Sequence, residues 1–290
     1  MSESVIADFV GKFNTSAAAG GAEPIRGRIL LSKKRLVLAT DSDKLTIPLS
    51  RIFDVAVGKV PPDFGAFFDS TVTIAFNTNS QRHIAAVEAS DEKIEKFSTV
   101  LFKVLLNGTT MMVKHPAQIG GRVTGEEFYT AKLLLKRRKV VFKGSDTSFT
   151  VDLSTVTNFD QKKREIAGAS REVLSVRHMQ NGQAVTSLAA IDSARKMSLL
   201  GRYLRLEYSE ITEELEDVEL SEEETELLVA VYSADPGVSL AGILDKEPSQ
   251  VTMMLNDLTE QDLIRDGTDS TQLTAKGRII VSNKLEDVNV

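Results

Sequence analysis

Two segments of the chain follow the same pattern of apolar and basic residues, 104 positions apart and without a gap. The first is ILLSKKRLVLATDSDKLTIPLSRI at 29–52, and the second is LLLKRRKVVFKGSDTSFTVDLSTV at 133–156. Ten positions are apolar in both, and a basic triplet occupies the same place in each: Lys33, Lys34 and Arg35 correspond to Arg137, Arg138 and Lys139. Because any two β-hairpins alternate in this way, the hairpins alone do not prove a duplication.

The chain after each hairpin extends the repeat. Further strand-like segments follow in the same order in both copies, and each copy ends in an amphipathic helical pattern. A shift of 103 positions aligns the apolar residues of the two helices: Ile94, Phe97, Val100, Leu101 and Leu105 with Met197, Leu200, Tyr203, Leu204 and Tyr208. Strand alternation does not explain this agreement. The sequence therefore predicts an α+β chain with two tandem pleckstrin-homology-like domains, each a small antiparallel barrel or bent sheet closed by a C-terminal helix.

The last part of the chain predicts a domain of a different kind. Ser221 and Glu224 form a capping-box signature before an apolar helical run, and Pro248 suits the first turn of a later helix. Two short alternating segments then flank Asp266 and Gly267, a pair typical of hairpin turns. Three helices followed by a β-wing predict a winged helix-turn-helix. The predicted domains are residues 1–108, 109–212 and 213–290.

The composition favours a soluble cytoplasmic protein. Of the 290 residues, 42% are hydrophobic and none is cysteine, so sizeable cores are available while disulfides and thiolate metal sites are excluded. We expect no secretory signal, because MSESVIADFVGKF lacks a basic segment followed by an apolar run. The most apolar window, FSTVLFKVLLNGTTMMV, is interrupted by Lys103, Asn107 and Gly108, so no membrane insertion is predicted.

The net charge of −6 hides an asymmetry along the chain. Residues 211–290 contain 5 Lys and Arg against 19 Asp and Glu, a net charge of −14, whereas residues 1–210 contain 30 against 22, a net charge of +8. Such asymmetry is typical of domains with separate partners. It is equally consistent with attraction between the basic and acidic parts within one molecule.

The predicted winged helix lacks the residues that DNA binding needs. Its third helix has no Lys or Arg between positions 248 and 263, and it carries Asp257, Glu260 and Asp262. DNA affinity depends on cationic side chains that neutralise phosphates, so this surface would repel a duplex. We therefore interpret the third domain as a protein-binding module that does not bind nucleic acid.

No motif in the sequence indicates catalysis. The three histidines, His83, His115 and His178, lie far apart, and His83 and His178 fall in strand-like segments where an ordinary packed or surface histidine is expected. The sequence contains no glycine-rich phosphate loop, nucleophile elbow or metal-ligand cluster of recognisable spacing. It therefore predicts no enzyme, no catalytic residue, no metal and no cofactor.

Basic triplets are the first candidate binding feature. Two lie at predicted hairpin turns, and a third, Lys162, Lys163 and Arg164, is predicted in the loop after the third strand of the second unit. Such triplets are common solubilising features. They could also meet an acidic protein surface or anionic lipid headgroups.

An aromatic segment is the second candidate binding feature. In KVPPDFGAFFDS, Phe64, Phe67 and Phe68 lie in an apparent loop rich in proline and glycine. Aromatic residues in such a loop either fold back as a lid over the barrel core or anchor an interface. The sequence does not decide between these alternatives.

Several segments of the sequence resemble a known family. GRILLSKKRLVLA followed by IPLSRIFDV, the second pleckstrin-like unit, and an acidic winged helix ending in LTAKGR are together similar to the CheF family of archaeal taxis proteins. The resemblance covers nearly the whole chain. It involves segments that form structural elements, and it includes no catalytic signature. It implies an adaptor that binds the phosphorylated response regulator CheY and relays the signal to the switch proteins of the archaellum motor, with recruitment to the base of the archaellum at the membrane.

An adaptor needs two separate faces. In one assignment, the basic residues Lys162, Lys163, Arg164, Arg137 and Arg138 recruit the regulator, and the outer side of the third helix of the winged domain faces the motor or a second copy of the chain through Gln250, Met253 and Asp257. The reverse assignment stays open. So do two other functions: a peripheral membrane module that binds anionic lipid, and a winged-helix DNA-binding regulator.

Overall fold

Two large antiparallel sheets and several helices make up the described part of the chain, which confirms the α+β class. The computed structural model describes residues 4–16, 23–64, 69–78, 81–180, 183–216, 218–234, 238–266, 271–274 and 276–281. Tight contacts divide the chain into two units. Unit 1 contains residues 1–109, 132–135 and 191–206, and unit 2 contains residues 110–131, 136–190 and 207–290.

The first sheet contains seven strands, and helix α1 (Asp91–Leu106) follows the last of them. The strands are β1 (Val5–Thr15), β2 (Ile25–Ser32), β3 (Arg35–Ala39), β4 (Lys44–Pro48), β5 (Ile52–Val57), β6 (Ser70–Thr78) and β7 (Gln81–Ala89). Their order in the sheet is β4-β3-β2-β1-β7-β6-β5. β1 was not predicted as a strand, yet it joins the two halves of the sheet.

The second sheet contains eight strands, and helix α2 (Ala194–Glu216) follows it. The strands are β8 (Thr110–Ile119), β9 (Arg122–Val123), β10 (Tyr129–Lys136), β11 (Lys139–Lys143), β12 (Ser148–Asp152), β13 (Val156–Ile166), β14 (Ala169–Gln180) and β15 (Gln183–Ile191). The order is β12-β11-β10-β8-β15-β14-β13, with the short β9 paired to β8. Strand for strand, this order matches that of the first sheet.

The repeated apolar positions form the cores of the two sheets. Ile29 and Ile47 are fully buried in the first sheet, and their counterparts Leu133 and Val151 are at most 1% exposed in the second. Backbone contacts repeat as well: the Leu49 N–H donates to the Lys34 carbonyl at 2.9 Å, and the Leu153 N–H donates to the Arg138 carbonyl at 2.8 Å. The hairpin repeat therefore extends to strand order, burial and hydrogen bonding. The assignment of both sheets as pleckstrin-homology-like domains, with boundaries at 108 and 212, stays a prediction.

Helix α2 contributes to both units. Its first part, within unit 1, buries Tyr203 completely, with the ring 5.7 Å from that of Phe102 on α1. In the same unit, both guanidinium nitrogens Nε and Nη2 of Arg202 donate to the carboxylate of Asp54 at 3.1 Å. The second part lies in unit 2, where Tyr208 packs edge-on against Phe159 of β13. One helix thus closes parts of two cores.

The C-terminal elements occur in the predicted order. They are α3 (Glu222–Ser233), α4 (Leu240–Leu244), α5 (Pro248–Glu260), β16 (Ile264–Asp266) and β17 (Thr271–Leu273), and the last two strands pair with each other. The predicted turn residue Gly267 lies outside the described residues. On α5, Val251, Met254 and Leu258 are buried as the helical period predicts. The winged-helix assignment itself stays a prediction.

The predicted capping box at α3 is present. The Ser221 hydroxyl accepts a hydrogen bond from the Glu224 N–H at 3.2 Å, and a Glu224 carboxylate oxygen accepts one from the Ser221 N–H at 2.8 Å. We expect Ser221→Ala to lower the stability of the C-terminal helices by about 1 kcal/mol, because the N-terminal amides lose an acceptor. Urea denaturation followed by circular dichroism measures this loss. Ser233→Ala, on the same helix but away from the cap, should change little; an equal loss would contradict the capping role.

Candidate functional site

The basic residues Lys162, Lys163 and Arg164 lie in strand β13, so their predicted placement in a loop is wrong. They pair with Val173, Glu172 and Arg171 of β14. The hairpin is longer than predicted because Ala167 and Gly168 form its turn with φ of 50° and 72°, the positive values that a tight two-residue turn requires. All three basic side chains are exposed, on the last strand of the sheet order.

Two of the three cations on this strand form ion pairs with carboxylates of the same hairpin. Lys162 Nζ lies 2.6 Å from Asp160 Oδ2, and Lys163 Nζ lies 3.6 Å from Glu172 Oε1. The hydrogen bond from Lys162 lowers the pKa of Asp160, which is therefore ionised at neutral pH. Exposed ion pairs of this kind contribute little stability, about 0–1 kcal/mol. A partner protein could replace these carboxylates at small cost.

The second basic group, Arg137 and Arg138, lies at the β10–β11 turn. Arg137 is exposed, whereas Arg138 is half-buried with φ of 54°, and its backbone N–H donates to Glu207 Oε2 at 2.8 Å. Glu207, on α2, is only 5% exposed. Arg138 therefore has a structural role in joining the turn to the helix. Three strands, β8, β15 and β14, separate this turn from β13 in the sheet order.

The basic group of the first unit lies where the sequence places it. Lys33 and Lys34 occupy the β2–β3 turn, Arg35 begins β3, and all three are exposed. The Ser32 hydroxyl accepts hydrogen bonds from the backbone N–H groups of Lys34 and Arg35 at 3.2 and 3.1 Å. The turn backbone is thus fixed, while the exposed side chains of Lys33 and Lys34 remain available to a partner.

The aromatic segment is described only in part. Phe64 is 7% exposed, and its carbonyl accepts a hydrogen bond from Asn14 Nδ2 at 3.1 Å. This burial favours the lid alternative for Phe64. Phe67 and Phe68 lie outside the described residues.

The outer side of α5 presents the three residues that the helical period places there. Gln250 and Met253 are exposed, Met253 by 64%, and Asp257 is half-buried. An exposed methionine beside polar residues suits an adaptable protein contact. The structure does not connect this helix face with the basic strand β13.

A histidine cluster is the feature of the structure that was not predicted from the sequence. His115 on β8 and His178 on β14 stack with ring centroids 5.9 Å apart, and the hydroxyl of Ser187 on β15 is hydrogen-bonded with both rings, at 2.8 Å to Nδ1 of His115 and 3.0 Å to Nε2 of His178. The ring of Phe149 also stacks with His115, with ring centroids 4.0 Å apart. The pairing of β8 with β15, and of β15 with β14, creates this cluster, so no local signal in the sequence could have revealed it.

Burial sets the protonation state of this cluster. It lowers the pKa of His115 to about 4, with a further contribution from the charge of His178, and it also lowers the pKa of His178. Both rings are therefore neutral at pH 7. His178 and Ser187 are 2% and 3% exposed and His115 is half-buried, so the cluster forms a hydrogen-bonded part of the core.

The described residues also bear on metal binding and on membrane insertion. Within them, no group of three or more His, Asp or Glu side chains is placed to hold a metal ion. No helix in the described segments is long and apolar enough to cross a membrane.

Comparison with known proteins identifies the family. A sequence model described as archaeal chemotaxis signal transduction system protein F matches residues 5–210. The chain belongs to this family. CheF proteins take part in archaeal chemotaxis signalling, so this chain has a role in that system, and the resemblance seen in the sequence is confirmed.

Two relatives from Halobacterium salinarum extend the match to the C-terminal region. The chain is 47% identical over 290 residues to taxis protein CheF2, covering 100% of both chains, and 30% identical over 293 residues to taxis protein CheF1, covering 99% of both. Among solved structures, the Spt16D–Pob3N heterodimer covers 64% of this chain and 95% of its own with 11% identity and a TM-score of 0.25. That score is too low to establish a common fold.

Proposed function

We propose that this CheF-family chain is a non-enzymatic adaptor that binds the phosphorylated response regulator CheY and relays the signal to the switch proteins of the archaellum motor. In this proposal, two pleckstrin-homology-like domains provide one binding surface and the acidic winged helix provides another. The protein acts in the cytoplasm and is recruited to the base of the archaellum. The observation that carries the proposal is the row of exposed cations on β13, within a chain of a taxis signalling family.

The chemistry of β13 suits a response regulator, whose phosphorylation pocket is acidic. Lys162 and Lys163 are 66% and 75% exposed, and their present ion-pair partners are exposed or half-buried carboxylates of the same hairpin. A regulator could therefore exchange its own carboxylates for Asp160 and Glu172. Complementary charges of this kind accelerate encounter and fix the orientation of the partners.

The second face is the outer side of α5, with Gln250, Met253 and Asp257. Its charged residue is acidic, whereas the proposed contact residues of β13 are basic. We assign it to the motor or to a second copy of the chain. Arg137 contributes to the basic surface from the β10–β11 turn, and Lys33, Lys34 and Arg35 offer an equivalent surface on the first unit. Two faces of different charge let one adaptor hold two partners.

Titration of the protein with CheY, with and without beryllium fluoride as a phosphoryl mimic, tests the proposal. We expect tighter binding to the mimic-bound form. Absence of binding in both states would contradict the adaptor function. Binding to anionic liposomes or to a DNA duplex at low salt would then favour the membrane or DNA-binding alternative.

Charge reversal then locates the surface. The triple change Lys162→Glu, Lys163→Glu and Arg164→Glu should weaken CheY binding by about tenfold, mostly through slower association. Reversal of three exposed cations elsewhere, Arg26, Lys93 and Lys143, changes the net charge equally and should have a much smaller effect. Equal losses in both variants would show a general charge effect and not a surface on β13.

A further inference from the structure

A cleft of about 470 Å³ opens on the second sheet within unit 2. Its walls come from β8, β9, β13, β14 and β15, and Phe128 lies at one side. The volume is within the range of about 300–1,000 Å³ typical of ligand sites. No motif in the sequence marks it, because its walls come from strands distant along the chain.

Three cations from three strands line this cleft: Lys114 on β8, Arg164 on β13 and Arg177 on β14. Two carboxylates, Asp160 and Glu165, also line it. The Asp160 charge is already matched by Lys162 at 2.6 Å, outside the lining. In the segments that the structure describes, no carboxylate forms an ion pair with Lys114 or Arg177. The cleft thus has positive charge that its own carboxylates do not neutralise.

The half-buried Arg278 interacts with the charge of Arg177, one of the cations of the cleft, and with that of Arg265. Burial lowers the pKa of Arg278, and the guanidinium charges of Arg177 and Arg265 lower it further, against an opposite effect of Tyr232. The Nε atoms of Arg265 and Arg278 are buried without a hydrogen-bond partner in the described part of the chain. Because neighbouring guanidiniums repel each other, an anion near Arg177 would be favourable for all three.

The floor of the cleft is apolar. Ala117, Ile166 and Leu188 are 3%, 6% and 8% exposed and belong to one buried cluster, against which Phe128 packs. Ser175 and Thr186 add polar side chains to the lining. A mixed lining of this kind matches a ligand that carries an anionic group next to an apolar one.

The position of the cleft favours an extended chain segment as the ligand. Asp160 and Arg164 belong to β13, the last strand in the sheet order, so the cleft reaches the free edge of the described sheet. An extended peptide presents side chains on alternate sides, which allows acidic groups to meet the cations while apolar groups contact the floor.

We propose that this cleft binds a short, extended acidic segment of a partner protein. A carboxylate of the segment lies between Lys114 and Arg177, and a neighbouring apolar side chain of the segment covers Ile166 and Leu188. The proposal goes beyond CheY binding on the exposed face of β13 and does not depend on it. Lys162 and Lys163 of the proposed CheY contact do not line the cleft, whereas Arg164 belongs to both surfaces, so Lys114 and Arg177 are the residues that distinguish the cleft.

Fluorescence anisotropy with the full-length protein tests this site. The probe is a labelled synthetic peptide of alternating aspartate and leucine, and its control has asparagine in place of aspartate. We expect saturable binding of the acidic peptide that weakens with salt, and much weaker binding of the asparagine peptide. Arg177→Gln and Lys114→Gln should each weaken binding by about fivefold to tenfold, because each removes one charge-assisted contact.

Control variants separate the cleft from its surroundings. Val123→Glu adds a carboxylate to the wall at a side chain that is 73% exposed, so it should abolish binding without disturbing the core. Lys143→Gln removes an exposed cation on β11, outside the lining, and should leave binding unchanged. Equal affinity for both peptides, or no loss in the Arg177 and Val123 variants, would overturn the proposal. Displacement of the peptide by inorganic phosphate at similar concentration would also overturn it, since the cleft would then hold an anion alone.

Discussion

Tyr203→Ala is expected to lower the free energy of unfolding by about 3–5 kcal/mol, the largest effect of any single change considered for this protein. The Tyr203 ring is fully buried and packs against Phe102 at 5.7 Å, within unit 1. Removing the ring leaves a cavity at the contact between α1 and α2, where rigid neighbouring strands prevent full collapse. Urea denaturation at neutral pH, followed by circular dichroism, measures the loss.

Tyr232→Ala provides the matched control. Tyr232 lies on α3 and is 52% exposed, so the same chemical change removes little packing there and should cost well under 1 kcal/mol. Amide hydrogen exchange adds a local measurement. Faster exchange in α1 of the Tyr203 variant would locate the damage in unit 1, whereas a loss no larger than that of the control would contradict the assigned contact.

The second large effect is a loss of folding stability at acidic pH, which is expected from the titration of the histidine cluster. The pKa of His115 is lowered from 6.5 to about 4 in the folded protein. Between these values the unfolded chain binds a proton that the folded chain does not, so the stabilising contribution is complete above pH 6.5 and is lost as the pH falls towards 4. Because the His115 ring is only half-buried and solvent screens part of the effect, its contribution amounts to about 2 kcal/mol between neutral pH and its folded pKa.

His115→Asn isolates this contribution. Asparagine keeps a polar atom close to the Ser187 hydroxyl but does not titrate, so stability measured against pH should decline less steeply for the variant than for the natural protein. Lys114→Gln, the preceding residue on the same strand, should keep the natural slope. Parallel profiles for His115→Asn and the natural protein would refute the role of the imidazole. Carbon–proton NMR of His115 checks its pKa directly.

The regular elements could be predicted from local patterns, and the exceptions have physical causes. Alternation at Leu45, Ile47 and Leu49 predicted β4, and the helical period predicted α1 and α5, because burial on one face repeats at a fixed interval. β1 was missed because most of its residues are exposed or half-buried, which weakens the contrast between its faces. β13 was assigned too short because Ala167 adopts a positive φ that its side chain does not signal.

Only the parts of the candidate site whose residues are adjacent in the sequence could be predicted. Runs such as Lys162, Lys163 and Arg164 are visible as charge in the sequence, although their placement on a strand required the register with β14. The cleft cations Lys114 and Arg177 and the pair of His115 and His178 are each 63 positions apart along the chain, and their proximity follows from β15 lying between β8 and β14. Sheet order, not local pattern, creates both features.

The course of the chain between the two units limits how this protein can be divided or recombined. Unit 1 needs residues 132–135 and 191–206, which are encoded after the start of unit 2, so no single cut yields both units intact. A fragment that ends before α2 would leave the side of Phe102 that Tyr203 covers exposed to water. Although the sequence repeat has the form of a gene duplication, the two units do not coincide with the two copies, and neither unit is a single continuous stretch of the chain.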